Sequence, residues 1–374
     1  MRIVCISASS VPANTANSIQ VMKVCQALVQ LGHAVTLLVP GTAPKHPDLS
    51  SYYGLQASFP IQWLPSRPGL RRYDFALAAV RRARRLKAEL VYAWPPQAAL
   101  ATLLAGLPLA LELHDIPEGR FGPWLFRLIR WTPGKKRFLP ITQALADALA
   151  RRYRPFAANE LVIAPDGVDL ERYQDLPEPA QARQSLGLPE AFTAGYTGHL
   201  YAGRGLSLLV ELAHRLPQVR FLWVGGRPEA VVHWQAELHA QGIDNITLTG
   251  FVENSRLALY QAAAEVLLMP YERVITGSSG GNTADYCSPM KMFEYMACQR
   301  AILSSDLPVL REVLNESNAV LCPPEDADAW AAALQALIRD PARRAALAKQ
   351  AWHDVAAYTW QERARRSLAN FSHP

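Results

Sequence analysis

Nowhere in the 374 residues is there an apolar run of the roughly 18 to 20 residues that a membrane-spanning helix needs. Met1 to Ser7 reads as a strand with no basic segment ahead of an apolar one, so no secretory signal is expected and the chain is placed in the cytoplasm. Cysteine is scarce. Cys5, Cys25, Cys287, Cys298 and Cys322 are odd in number and form no Cys-x-x-Cys pair, which argues for reduced thiols and against a zinc site. The first strand-to-helix turn has no Gly-x-Gly-x-x-Gly, which speaks against a nicotinamide-dependent dehydrogenase. No RNP, zinc-finger or helix-turn-helix signature, long-period repeat or low-complexity tract occurs, so no nucleic-acid partner is expected.

What is present has globular composition, half of it hydrophobic with 19% charged residues, and the length suits two domains. A net charge of +6 favours an anionic partner without choosing among nucleotide, phospholipid surface and nucleic acid. Arg2 to Ser7 is an apolar run that fits a buried parallel strand. Ser18 to Leu31 then shows helical spacing ended by Gly32, and Ala34 to Pro40 is a second strand. This βαβ order predicts a doubly wound α/β sheet, whose ligands bind at the carboxyl ends of strands. The loop from Ser7 to Ser18, including Asn17, therefore faces the expected site.

Further strands are predicted at Glu89 to Trp94, Leu109 to Asp115 and Phe138 to Thr142, another at Leu161 to Ala164, and later ones at Val219 to Gly226, Asn245 to Val252, Ala264 to Tyr271 and Arg300 to Ser305. His114 ends its strand, where an active-site side chain would be expected, although a lone histidine is more often structural than catalytic, and Asp115 either orients its ring or caps a turn. Two basic stretches, Arg71 to Lys87 and Phe121 to Arg137, mix arginine and lysine with apolar and tryptophan residues. Each reads either as a helix lying on an anionic membrane surface or as a core-packing helix with a solvated basic face. Asp166-Gly167 is a strong turn, and the polar, proline-bearing stretch Gln174 to Pro189 reads as a linker. After it, Thr193 to Leu216 repeats strand, glycine turn and helix, with Arg204 just before Gly205, a placement suited to phosphate.

The densest chemistry runs from Gly277 to Asp306. A glycine-rich loop, Gly277 to Thr283, leads to Ser288-Pro289, read as the N-cap and first residue of a helix carrying Met290, Lys291, Phe293 and Glu294. Bare first-turn amides, the positive helix end and Lys291 make an anion site that suits a diphosphate. Glu294 lies five residues past Pro289, roughly 7.5 Å along the axis, a fitting reach to a ribose diol. Lys291 and Glu294 also fit an ordinary i,i+3 ion pair, and the loop an ordinary surface loop.

The segment Ser288 to Leu314, with Pro165 to Asp169 and Gly198 to Gly205, resembles the retaining GT-B glycosyltransferases of family four, the glycosyl transferases group 1. The resemblance runs in order over nearly the whole chain. It implies two facing Rossmann-like domains with a central cleft: an acceptor-binding one at residues 1–165, with a C-terminal helix from about 355 packing back on it, and a nucleotide-sugar-binding one at 166–354. It implies that Ser288, Pro289 and Met290 bind the donor diphosphate, Glu294 the ribose, and Phe251 and Val252 the base through their backbone. Gly198 is retained, while His199 stands where Arg is usual and Arg204 where Lys is usual, facing the leaving diphosphate. His114 would lie beside the donor sugar and acceptor. The usual Glu-x7-Glu motif has Tyr286 at its first position here, with Asn282 and Asp285 as nearby replacements. No Asp-x-Asp stands in a fitting place, so neither a metal nor another cofactor is expected, and Arg204 and Lys291 would take the charge. The implied reaction moves a sugar from a UDP- or GDP-sugar to a glycan, lipid-linked or small-molecule acceptor with retention. A nucleotide-sugar 2-epimerase of the same fold and a non-catalytic nucleotide-sugar-binding assembly protein are the rivals.

Overall fold

A computed structural model describes residues 1–44, 48–70, 72–275 and 282–371. The chain falls into two compact units, Met1–Asp166 with Trp360–Pro374, and Gly167–Thr359. Each is built on one six-stranded parallel sheet. The first contains β1 (Arg2–Ile6), β2 (Ala34–Pro40), β3 (Ile61–Leu64), β4 (Leu90–Ala93), β5 (Leu109–Leu113) and β6 (Lys136–Pro140), in the order β3-β2-β1-β4-β5-β6. The second contains β7 (Thr193–Thr197), β8 (Arg220–Val224), β9 (Ile246–Leu248), β10 (Val266–Met269), β11 (Ala301–Ser305) and β12 (Val320–Cys322), in the order β12-β11-β10-β7-β8-β9.

The strand sequences explain this. β4, β5, β10 and β11 are buried at every residue, as strands must be when helices cover both faces of a parallel sheet. Right-handed crossovers put the helix Ala16–Gln30 on one face of the first sheet, and helices Tyr73–Arg85, Pro96–Leu104 and Gly122–Trp131 on the other. The chain reverses its direction of winding between β1 and β4 in the first sheet and between β7 and β10 in the second, and in such sheets ligands sit at these reversals.

Several boundaries differ from the sequence reading. Leu161 to Ala164 is no strand of its own, although it runs beside β6 through a bridge from Leu161 to Phe138 and a hydrogen bond from the Ala164 amide to the Pro140 carbonyl at 2.9 Å. Gln174 to Pro189 is not a plain linker. It holds the helix Pro179–Leu186, whose buried Arg183 pairs with Glu190 and Glu265, both at 2.8 Å. β3 and β12 lie at sheet edges and are too short to give a periodic signal. The final helical stretch breaks at Ala356–Thr359, and only Trp360–Leu368 returns to the first unit, packed on the helix Ala16–Gln30.

Candidate functional site

In the second unit, the carboxyl ends of β7, β8 and β9 meet backbone to backbone. Gly198 donates its amide to the Val224 carbonyl at 2.8 Å, and Gly225 donates to Gly250 at 2.9 Å. A Cβ on Gly225 would stand 2.3 Å from the Gly198 carbonyl oxygen, so side chains are excluded from this floor. Phe251 and Val252 follow Gly250 directly, with Phe251 exposed.

The turn after β7 lies against the end of β10. Gly205 donates its amide to Glu272 Oε1 at 3.0 Å and has φ +71°, with a Cβ position only 1.8 Å from the Pro270 carbonyl oxygen. Nothing but glycine fits there. Gly205→Ala is expected to cost about 2 kcal/mol or more, read as a lower denaturant midpoint, because backbone must move to admit the methyl.

That turn delivers Arg204 to a nest of tyrosines. Its guanidinium stands 4.8 Å from the Tyr201 ring and 5.0 Å from the Tyr271 ring, and one nitrogen donates to the Tyr201 hydroxyl at 2.5 Å. Its Nε is buried with no acceptor. Lys291 approaches the same place from another direction. Its ammonium lies 4.1 Å over the Tyr196 ring and 5.5 Å from that of Tyr271, and a Cβ on Gly198 would stand 2.6 Å from it. His199 stacks on Tyr201 at 5.4 Å. Among the described residues no carboxylate forms an ion pair with Lys291, Arg204 or His199. The aromatic faces supply partial attraction only.

The electrostatics follow. Burial and then the charge of Arg204 push the Lys291 ammonium well below its ordinary value, with Glu294 pulling the other way. Burial, Arg204, Lys291 and Arg227 likewise hold His199 below the usual imidazole value. Burial opposes charge on Arg204 too, but Tyr271, Tyr201 and Tyr196 outweigh it and keep the guanidinium protonated. Basic groups thus crowd together with aromatic faces against them.

The helix carrying Lys291 starts later than the Ser-Pro pair suggests. It spans Met290–Ala297 with Pro289 as N-cap, because Pro289 keeps ψ at 124°, and Ser288 is buried one residue outside it. Among the described residues the amides of Met290 and Lys291 have no acceptor, while that of Met292 turns back to the Pro289 carbonyl at 2.9 Å. Glu294, one turn on, accepts from Gln261 Nε2 at 3.1 Å. Gln261 is buried and in turn accepts from the Tyr173 hydroxyl at 3.0 Å. Lys291 therefore does not make the i,i+3 pair; its ammonium goes to Tyr196. Asn282 spends its side chain on its own loop, accepting from the Ile275 and Ala284 amides and donating to the Arg273 carbonyl. Asp285 is exposed and Tyr286 buried. The glycines from Gly277 to Gly281 lie outside the described residues.

In the first unit, His114 follows β5 and its Nε2 lies 2.7 Å from Glu112 Oε1. Glu112 is wholly buried and also meets Arg363 at 2.7 Å, the Tyr92 hydroxyl at 2.5 Å, and Gln20. Desolvation works against its charge, yet Arg363, His114 and Tyr92 together bring its carboxyl down to about 2. His114 is a third exposed; burial lowers its affinity for a proton, but the Glu112 bond and charge, with Asp166, outweigh this and raise it. Asn17 is exposed in the first turn of its helix, which begins at Ala16 behind the Thr15 cap, two residues before the predicted start. Sequence reading missed Glu112 and Arg363, although a lone acid inside the apolar run Leu109–Leu113 was a signal for a buried partner. Tyr196 and Tyr271 gave no such signal.

Two family models match the chain, "Glycosyltransferase Family 4" over residues 18–172 and "Glycosyl transferases group 1" over residues 191–340. The chain belongs to the family 4, group 1 glycosyltransferases. It is 31% identical over 240 residues to a D-inositol 3-phosphate glycosyltransferase of Xylanimonas cellulosilytica, covering 61% of this chain and 54% of the relative. A phosphatidyl-myo-inositol mannosyltransferase of Mycolicibacterium smegmatis is 28% identical over 380 residues, covering 96% and 90%. The chain thus spans about half the length of the first relative and most of the second. Anabaena HepE, solved in complex with UDP-glucose, superposes with a TM-score of 0.74 at 18% identity, covering 100% of this chain and 99% of HepE, which identifies the shared GT-B fold.

Proposed function

We propose that this glycosyltransferase takes a nucleotide-diphosphate sugar, bound by its second unit, and transfers the sugar with retention of anomeric configuration and without a metal ion. The observation that carries this is the gathering of Arg204, Lys291 and His199 with no paired carboxylate among the described residues, beside the two unbonded amides that open the helix Met290–Ala297. A diphosphate has the charge and the acceptor oxygens to satisfy all of them. When the bond to the sugar breaks, negative charge grows on the departing diphosphate, and donors already fixed around that position lower the barrier without reorganising. Arg204 and Lys291 supply there the charge a divalent ion would otherwise bring. Among the described residues no group of three or more His, Cys, Asp or Glu side chains gathers to hold such an ion.

Glu294, held by Gln261, is assigned to the ribose, and the backbone at Phe251 and Val252 to the base. Met290 and Lys291 present the amide edge, Ser288 and Pro289 lead into it, and Gly198 keeps space for the phosphates beside Lys291. His114 is assigned to the sugar or acceptor, with Glu112 fixing its ring. Asn17, at the exposed start of the helix Ala16–Gln30, is kept as a candidate donor contact. The acceptor class is a lipid-linked or glycan hydroxyl, in keeping with the lipid named in the mannosyltransferase relative. Nucleotide-sugars are made in the cytoplasm, so that is where the proposal puts the reaction.

The test is a thermal-stability screen of UDP- and GDP-sugars, followed by NMR of the product's anomeric configuration. A cognate donor at 100 times its dissociation constant adds about 2.7 kcal/mol to stability. Glu294→Ala should remove most of that shift and Tyr286→Phe little of it; the opposite order refutes the ribose assignment. Inverted product refutes retention. Interconversion of the donor sugar with no acceptor present would favour the epimerase reading instead.

A further inference from the structure

The first unit carries a surface that sugar transfer does not use. Seven of the eleven large hydrophobic side chains exposed among the described residues belong to the layer of helices Tyr73–Arg85, Pro96–Leu104 and Gly122–Trp131 and the residues that open it. On the last helix, Leu125, Phe126 and Ile129 turn inward, which leaves Trp124, Arg127 and Trp131 on the outer stripe, with Trp124 61% and Trp131 65% exposed. Neither indole N–H has an acceptor among the described residues. On the first helix the outer stripe runs Tyr73, Leu77, Arg81, Arg84 and Arg85, again apolar residues followed by arginines. The middle helix ends on Leu104, 72% exposed, and Arg84 reaches its terminal carbonyl at Ala105, so these helices form one continuous face.

Charge decides what this face fits. Residues 70–137 hold thirteen Lys and Arg against five Asp and Glu, a net +8 where the whole chain is +6, so the remainder is slightly acidic. The helix Gly122–Trp131 bears no carboxylate, and on the helix Tyr73–Arg85 the one acid, Asp74, is occupied by the Arg67 amide at 2.7 Å. A nucleic acid would meet the arginines but leave the indoles in water, and an acidic protein would need acceptors matched to each. An anionic bilayer satisfies both features at once. Indoles and leucines enter the headgroup boundary while arginines stay level with the phosphates.

We infer that the outer face of this helix layer docks the protein on an anionic lipid surface, with Trp124 and Trp131 inserted and Arg81, Arg84, Arg85 and Arg127 holding the headgroups. This goes beyond the transferase assignment, in which none of these surface residues takes part.

The test is co-sedimentation of the full chain with vesicles of phosphatidylglycerol and phosphatidylcholine, compared with phosphatidylcholine alone. Binding is expected on the anionic vesicles, at least tenfold weaker on neutral ones. It should weaken further when salt rises from about 0.1 M to about 1 M, as the Debye length falls from about 10 to about 3 Å. Trp124→Ser with Trp131→Ser should lower anionic-vesicle partitioning roughly tenfold or more, since each loses an interfacial anchor. Val232→Ser with Val274→Ser, exposed apolar residues of the other unit, should leave it unchanged. The double tryptophan variant should melt with the wild type, because both side chains are exposed. Absence of partitioning by the wild type, or equal partitioning by the tryptophan variant, overturns the inference. So does a tryptophan variant that changes only the oligomeric state, which would mean that a second copy covers this face. Stabilisation by nucleotide-sugar, measured on the same samples, separates this outcome from failure of the transferase reading, because vesicle binding does not depend on the second unit's site.

Discussion

Replacing Lys291 with Met should lower turnover on the cognate nucleotide-sugar by about 10² to 10³, the usual cost of losing one preorganised donor to developing charge. Ground-state donor affinity should fall less, because the two helix-opening amides and Arg204 still hold the diphosphate. The distinguishing feature is protonic. Burial and Arg204 hold the free Lys291 ammonium well below its ordinary value, and His199 is lowered by burial and the same cations. A bound diphosphate favours the charged form of both groups, so it must raise both values. Binding should therefore take up protons at a pH between the free and donor-bound values of these groups, visible in calorimetry as a dependence on the ionisation heat of the buffer, and affinity should fall as pH rises through that window. Lys291→Met should remove the lysine part of that uptake and His199→Asn the remainder. If the wild type binds donor with no proton uptake, Lys291 is already charged and the site is not the one described.

How much of this was readable beforehand depended on whether the signal was local. Strands such as Leu109–Leu113 and Val266–Met269 announce themselves because helices on both faces demand unbroken apolar runs, and this sheet type dictates that sites lie at carboxyl ends. Lys291 and Arg204 stood out in the sequence as cations at a helix start and beside a glycine, although an ordinary i,i+3 pair with Glu294 was equally open to Lys291. What faces them was not. Tyr196 and Tyr271 sit in or just after apolar strands and look like ordinary core residues; only their rings' distances to the two cations give them a second role. The helix start slipped by one residue because proline at the second position of Ser-Pro takes either a helical or an extended ψ, and no neighbouring sequence decides which. Departures from the Glu-x7-Glu pattern were legible at Tyr286, but Asn282, offered as a substitute, is spent on its own loop.

The network least visible in the sequence should have the largest effect on stability. Arg363 and Glu112 are 251 residues apart, both fully buried, and joined at 2.7 Å. Arg363 also donates to the Pro165 and Ala164 carbonyls and the Tyr92 hydroxyl. Arg363→Met leaves the Glu112 carboxylate without its cation in a desolvated place, an error that costs about 3 to 5 kcal/mol for a buried pair. Glu112→Gln should cost nearly as much, since the guanidinium is then the stranded charge. The double variant Glu112→Gln with Arg363→Met should recover part of the loss, and simple additivity in that cycle would refute coupling between the pair. The pH dependence has a definite sign. The folded-state carboxyl of Glu112 lies at about 2, below the unfolded value, so its stabilisation is complete above the unfolded value and disappears as pH falls through the range between them. His114 runs the other way: its folded-state value is raised, so its contribution is full below the ordinary imidazole value and lost as pH climbs through the raised one. In Arg363→Met the histidine keeps its carboxylate and should titrate higher still, because the opposing guanidinium charge is gone. In Glu112→Gln it should titrate lower, as NMR of the imidazole would read directly. A mere packing role for Glu112 would leave the His114 titration where it was, which is how these variants tell a positioning acid from a structural one.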